Sequence, residues 1–259
     1  MKIDFPKFSH PPIDIHTHFN HGVSGEYDTP AFAGTNRNTL DFFKREYTRF
    51  GIREFAASTY AAVMSDRRIT EENEYLHALV QQDAQIFQWV VLHPEREETF
   101  AQAERMLTDP RVLGLKIHPQ LHGYRICEHA DRIFSFEDRH GATVLMHPAA
   151  ITEMPRFADK YPHMRLIIAH LAEQAHIEAI RAAKHGNVYT DTSGGLSMLN
   201  SVIEYAVEQV GAEKILFGTD TYAISAQYSR IALADISDSD KEKILFGNAT
   251  ELFPRAFGK

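Results

Sequence analysis

Residues 13–19 read Ile13-Asp14-Ile15-His16-Thr17-His18-Phe19, two isoleucines set among an aspartate and two histidines at even spacing. In an extended strand, successive side chains leave opposite faces. Ile13 and Ile15 are therefore expected on one face, with Asp14, His16 and His18 on the other. Polar side chains on a buried strand cost free energy unless partners satisfy them. What satisfies these three decides what the rest of the chain must be.

Seven further apolar or β-branched runs follow, at 53–59 (REFAAST), 86–92 (IFQWVVL), 112–118 (VLGLKIH), 142–147 (ATVLMH), 165–170 (RLIIAH), 187–192 (NVYTDT) and 214–220 (KILFGTD). Stretches with helical periodicity separate them. Each strand-plus-helix unit takes roughly 20–40 residues, as eight units in a chain of about 250 require. Gly51, Gly141, Gly186 and Gly211 each stand between a helical run and the next strand, as left-handed helix caps do. Ser239 with Glu242 reads as a capping box before a last helix striped by Ile244, Leu245, Ala249, Leu252 and Phe253. Repeated units of this kind imply parallel strands with helical crossovers, and no Pro/Ser-rich linker divides them. The expected fold is α/β, a (β/α)8 TIM barrel forming one domain over residues 1–259. Residues 19–38, glycine-rich and the longest connection, are expected to act as a lid.

Bulk composition narrows the function. The chain has 259 residues, 44% hydrophobic and 24% charged, as in an ordinary globular protein. A formal net charge of −8 argues against nucleic acid as a partner. The single cysteine, Cys127, excludes an internal disulfide and suits a reducing, cytoplasmic setting. The first twelve residues carry no apolar h-region, so no signal peptide is expected. No apolar run approaches the roughly 20 residues that span a bilayer, so no membrane partner is expected. A small-molecule substrate is the expected partner, and a homo-oligomer is compatible with the sequence.

Catalytic groups of a parallel β/α barrel project from the C-terminal ends of its strands. Five expected strands end in side chains that bind metals: His16 with His18, His118, His147, His170 and Asp220. Closing the barrel gathers these ends. Imidazoles with one carboxylate suit zinc foremost, and also manganese, iron or cobalt. Such a metal lowers the pKa of bound water to about 7. One divalent ion is expected, with Asp14 orienting a neighbour from behind.

The other polar residues have plainer readings. His93 before Pro94 reads as structural, and His118 as either pocket wall or substrate contact. His140 and His185 precede cap glycines and suit helix ends. His163 and His176 read as surface residues. Lys116 reads as a core-edge amine, salt-bridged or solvated. Arg125 reads as a solvated loop residue or a clamp on a substrate carboxylate. Residues 192–195, Thr-Ser-Gly-Gly, offer pliable backbone near the site.

The segments DIHTH, GLKIHPQLHGYRI, GATVLMHP, HMRLIIAHLA, NVYTDTSG, KILFGTD and KILFGNATELF, in this order, resemble the amidohydrolase-related family. That branch of the amidohydrolase superfamily includes aminocarboxymuconate semialdehyde decarboxylase. The resemblance implies that His16, His18, His147 and Asp220 bind one metal and that His170 contacts water or substrate. It also places Lys116 near the lysine that bridges two metals in some relatives. Hydrolysis of an amide, lactone or ester is the expected reaction, with Asp220 accepting the water's proton. Non-oxidative decarboxylation on the same metal is the alternative. Phosphoester hydrolysis is disfavoured because strand four carries Lys-Ile-His rather than a bridging glutamate. A non-catalytic binding barrel is the reading outside enzymes.

Overall fold

Parallel strands cannot be joined by tight hairpins, so each must be followed by a crossover, and helices supply it. The computed structural model of the chain describes residues 6–21, 39–221 and 223–258. Eight strands lie in one sheet in sequential order. They are β1 (Ile13–Phe19), β2 (Glu54–Thr59), β3 (Ile86–Val91), β4 (Val112–Ile117), β5 (Thr143–Met146), β6 (Arg165–Ile168), β7 (Val188–Asp191) and β8 (Ile215–Leu216). Each neighbouring pair from β1 to β8 is parallel. Backbone bonds close the seam between β8 and β1: Ile15 N donates to Phe217 O (3.0 Å) and Asp220 N donates to His16 O (2.8 Å). The result is a single-domain (β/α)8 barrel.

The helices are α1 (Leu40–Arg49), α2 (Tyr60–Met64), α3 (Ile69–Gln82), α4 (Glu97–Met106), α5 (Ile126–His140), α6 (Met154–Lys160), α7 (Gln174–Ala182), α8 (Val202–Val210), α9 (Ile224–Ala232), α10 (Asp238–Glu242), α11 (Asn248–Leu252) and α12 (Pro254–Phe257). Their sequence stripes set their facing. On α5, Ile126, Ala130, Ile133, Phe134 and Glu137 are buried at helical spacing, and Gly141 ends the helix at φ 58°, ψ 29°. Apolar side chains from alternate strand positions fill the layer between helices and barrel. The remaining positions fill the barrel itself: Ile13, Ile15, Ala56, Phe87, Trp89, Leu145, Ile167 and Leu216. Phe253 and Phe257 plug its N-terminal end against Trp89 and Phe87. Two residues beyond those apolar positions, the inward column turns polar or bare: Ser58 after Ala56, His147 after Leu145, Gly218 after Leu216. That change marks the C-terminal mouth.

Several expectations are corrected. The register shifts between Asp14 and Thr17, where β1 pairs with β2. This bulge breaks the alternation, as bulges do. Asp14 consequently meets Tyr47 of α1 in the outer layer, while His16 reaches Lys116 on β4 across the barrel. The strand ends expected at His170 and Asp220 are sharper than strands: β6 stops at Ile168 and β8 at Leu216, and His170 and Asp220 adopt φ of 63° and 49°. The cap of the last helical segment is Ser237, which accepts from Asp240 N, rather than Ser239. A π turn over Lys243–Gly247 then re-phases the chain between α10 and α11, so the stripe is not one helix. His176 is buried, not superficial, and donates from Nε2 to Ala169 O (3.0 Å). The expected lid falls almost wholly on residues 22–38, outside the described residues. Among the described residues no helix is long and apolar enough to cross a membrane.

Candidate metal centre

The mouth is assembled from β1, β2, β4, β7 and the turns after β5, β6 and β8. His16 Nδ1 lies 2.8 Å from Asp191 Oδ2. A carboxylate only accepts, so this nitrogen carries the hydrogen and Nε2 keeps its lone pair. Lys116 Nζ donates to that Nε2 over 2.8 Å. His18 Nδ1 lies 3.1 Å from the Ser58 carbonyl, which likewise puts its hydrogen on Nδ1. Its Nε2 then faces Asp220 Oδ1 at 3.3 Å, lone pair against lone pair. His16 Nε2 stands 3.7 Å from the same oxygen.

No proton mediates between these atoms. Burial, together with the charge of Lys116, lowers the His16 pKa to about 3, and burial lowers that of His18. Burial alone would raise the Asp220 carboxyl. The close imidazoles of His18, His16 and His170 outweigh it and hold Asp220 well below the usual carboxylate range. Ligand atoms of His16, His18 and Asp220 all lie within 4.8 Å of one another. Three converging electron-pair donors, oriented from behind by Asp191 and Ser58, fit a divalent cation. His16, His170 and Asp191 form a second such group, sharing His16.

The remaining expected residues fall at different distances from this cluster. His147 joins neither group, and its Nδ1 meets His170 Nε2 at 3.2 Å. His118 stacks on the His147 ring, centroids 3.8 Å apart, and its Nδ1 accepts from Leu121 N (3.3 Å). Burial lowers the pKa of both, with Lys116 and the neighbouring rings adding to the effect. Lys116 is buried in the centre of the mouth, and burial lowers its amine to about 8. Arg125 stands apart, its side chain 83% exposed and paired with Glu128. The solvated reading describes it, and it reaches no other site residue. His93 is buried and bonds His122 O through Nε2 (3.3 Å).

Sequence reasoning missed Asp191 and Ser193. Asp191 is the last residue of β7, and that strand-end position is the signal that marked the other polar groups. Its neighbour Ser193 bonds Asp191, His16 and His170. Asp14 works from further back. It accepts from Tyr47 Oη (2.8 Å), Thr219 Oγ1 (2.6 Å) and His16 N (3.0 Å), tying β1 to the β8 turn that carries Asp220. A cavity of about 710 Å³ lies at the opposite end beside Arg53, Phe246 and Phe257. Catalytic groups of this fold stand at the C-terminal end, so the geometry of the donors outweighs the size of that cavity.

Residues 13–255 match the model of a family described as amidohydrolase. No curated protein sequence matches the chain. A dihydroxybenzoic acid decarboxylase from a Polaromonas species, solved with bound manganese and the inhibitor 2-nitroresorcinol, has a TM-score of 0.73 at 18% identity. That match covers 95% of this chain and 97% of the other. A 2,6-dihydroxybenzoate decarboxylase from Rhizobium has a TM-score of 0.75 at 15% identity, covering 95% and 99%. A 5-carboxyvanillate decarboxylase from Sphingomonas paucimobilis has a TM-score of 0.74 at 14% identity, with the same coverage. These likenesses establish the barrel. They also correct the expectation of hydrolysis: the similar enzymes are decarboxylases, the alternative reading. The physical reason is that a metal polarises a bound acid as readily as it activates water, and ligand spacing does not distinguish the two.

Proposed function

This chain belongs to the amidohydrolase family, and from that premise we propose that it is a metal-dependent, non-oxidative decarboxylase of a small hydroxylated aromatic acid. The observation that carries the reading is the convergence of His16, His18 and Asp220 at the C-terminal mouth. The enzymes similar over the whole chain support decarboxylation as the reaction. Exposed Met64, Leu121, Leu196 and Leu199 stand on segments following β2, β4 and β7, and offer apolar surface at that end of the barrel for an aromatic ring.

In this reading His16, His18 and Asp220 hold one divalent ion, zinc or manganese, with His147 as the proposed fourth ligand. When bound, that ion supplies the positive charge that polarises the acid and its neighbouring hydroxyl. Lys116, still largely protonated at neutral pH, adds a second positive charge for the carboxylate. His118 has Nδ1 committed to Leu121 N, which leaves Nε2–H free to orient the substrate. Loss of carbon dioxide leaves the bonding pair on the ring carbon, and that carbon takes one proton. Asp220, ionised at rest, takes the phenolic proton at its carboxylate and delivers it to that ring carbon, while His170, whose Nε2 accepts from His147 Nδ1, holds the proposed fourth ligand in place.

The test is a panel of hydroxybenzoic acids carrying ¹³C in the carboxyl group, incubated with metal-loaded protein in D₂O. Labelled carbon dioxide and a phenol with one deuterium at the vacated carbon are expected. Silence across the panel, with the metal bound and the protein folded, overturns the proposal.

A further inference from the structure

Ser193 follows β7 and is fully buried. Its hydroxyl touches three groups: Asp191 Oδ1 at short range, His170 Nδ1 at 2.8 Å and His16 Nδ1 at 3.0 Å. A hydroxyl has one hydrogen and two lone pairs, whereas an ionised carboxylate only accepts. The Asp191 carboxylate already accepts from His16 Nδ1, His170 N and Ser193 N, so it meets the Ser193 hydroxyl as an acceptor. The single hydrogen of Ser193 therefore goes to Asp191. Towards both imidazoles the oxygen can only accept.

The consequence runs outward. His170 must carry its hydrogen on Nδ1, which leaves a lone pair on Nε2. That Nε2 faces His147 Nδ1 at 3.2 Å, so His147 in turn carries its hydrogen on Nδ1 and keeps the lone pair on Nε2. His16 carries its hydrogen on Nδ1 as well, shared between Asp191 and Ser193. The backbone fixes this arrangement. Asp191 Oδ1 also accepts from Ser193 N (2.9 Å) and His170 N (3.1 Å), holding the loop and the imidazole to one carboxylate.

We propose that Ser193 is a positioning residue: its hydroxyl, oriented by Asp191, sets the tautomers of His170 and His147 and supports that of His16. One side chain after β7 then decides whether His147 offers a divalent cation a lone pair. Were the Ser193 hydrogen directed at His170 instead, the order would reverse, and His147 would present N–H to the cation. The inference rests on the metal-binding reading of the site and not on the identity of the substrate.

The test needs no turnover. Long-range ¹H–¹⁵N NMR of metal-free, ¹⁵N-histidine-labelled protein at pH 8 distinguishes protonated from bare ring nitrogens. Wild type is expected to show His16, His147 and His170 as Nδ1–H tautomers. In Ser193→Ala, His170 and His147 should lose that single tautomer. Mn²⁺ affinity should fall roughly 10–100-fold, the usual cost of losing a group that orients ligands, and Ser193→Cys should fall between the two. A wild-type His170 with its hydrogen on Nε2 overturns the proposal whatever the stability of the variants. So does Ser193→Ala with unchanged tautomers. A protein that passes both tests yet releases no carbon dioxide sinks the proposed reaction alone.

Discussion

Thr219 Oγ1 donates to Asp14 Oδ2 over 2.6 Å, a bond between residues 205 positions apart that crosses the seam of the barrel. Each partner sits beside site residues, Asp14 before His16 and Thr219 before Asp220. The bond thus couples barrel closure to the placing of the metal ligands. Thr219→Val keeps the shape and removes the donor. A loss of about 1–3 kcal/mol is expected, seen as a lower Tm, together with weaker Mn²⁺ binding. An unchanged Tm and affinity would show that the seam does not depend on this bond.

Asp220→Asn tests the carboxylate that converges with His16 and His18. The amide nearly matches the carboxylate in size but lacks its charge and its capacity to take a proton. Turnover in the carbon dioxide assay should fall by roughly 10²–10⁴, while far-UV circular dichroism stays as in wild type. Near-wild-type turnover removes Asp220 from the chemistry.

Gly194 sits at φ 83°, and a Cβ there would stand 2.9 Å from His170 Nδ1. Gly194→Ala should therefore push His170 off Ser193 and lower turnover while the fold persists. Gly141→Ala is the control: φ is 58°, but nothing lies within 4 Å of the added carbon. It should cost about 1 kcal/mol of stability and leave turnover alone. Equal turnover in the two variants would refute a role for the His170 position.

Glu137 gives the pH dependence. Both its oxygens are buried without a hydrogen-bond partner among the described residues, and burial pushes its pKa well above the ordinary 4.5, with Arg165 only partly opposing. Below pH 4.5 both folded and unfolded states are protonated there, so no difference arises. As pH rises past 4.5, the unfolded chain ionises first and stability falls until the folded carboxyl also ionises. Glu137→Gln removes this loss. Its Tm should match wild type near pH 4 and exceed it at pH 8, by roughly 2–4 °C for each kcal/mol recovered. A difference that does not grow with pH rules this account out.

Much of the architecture was legible in local chemistry. Glycines at 51 and 141, apolar runs and helical stripes depend on neighbours a few residues away, so they announce eight strand-helix units without knowledge of the whole. The polar strand ends His16, His18 and Asp220 were legible for the same reason, because the fold dictates where a strand's chemistry stands. Only the tertiary structure decided the rest. The bulge between Asp14 and Thr17 turned Asp14 outward and His16 inward, against the period-two expectation. Ring closure carried Lys116 to His16 and Asp191 behind it, pairs 100 and 175 positions apart. It also put His147 beside His170 rather than in the three-residue cluster. Spacing along one strand fixes a face only while the register holds. Contacts across a barrel depend on how all eight strands tilt and stagger together, and no short stretch of chain contains that information.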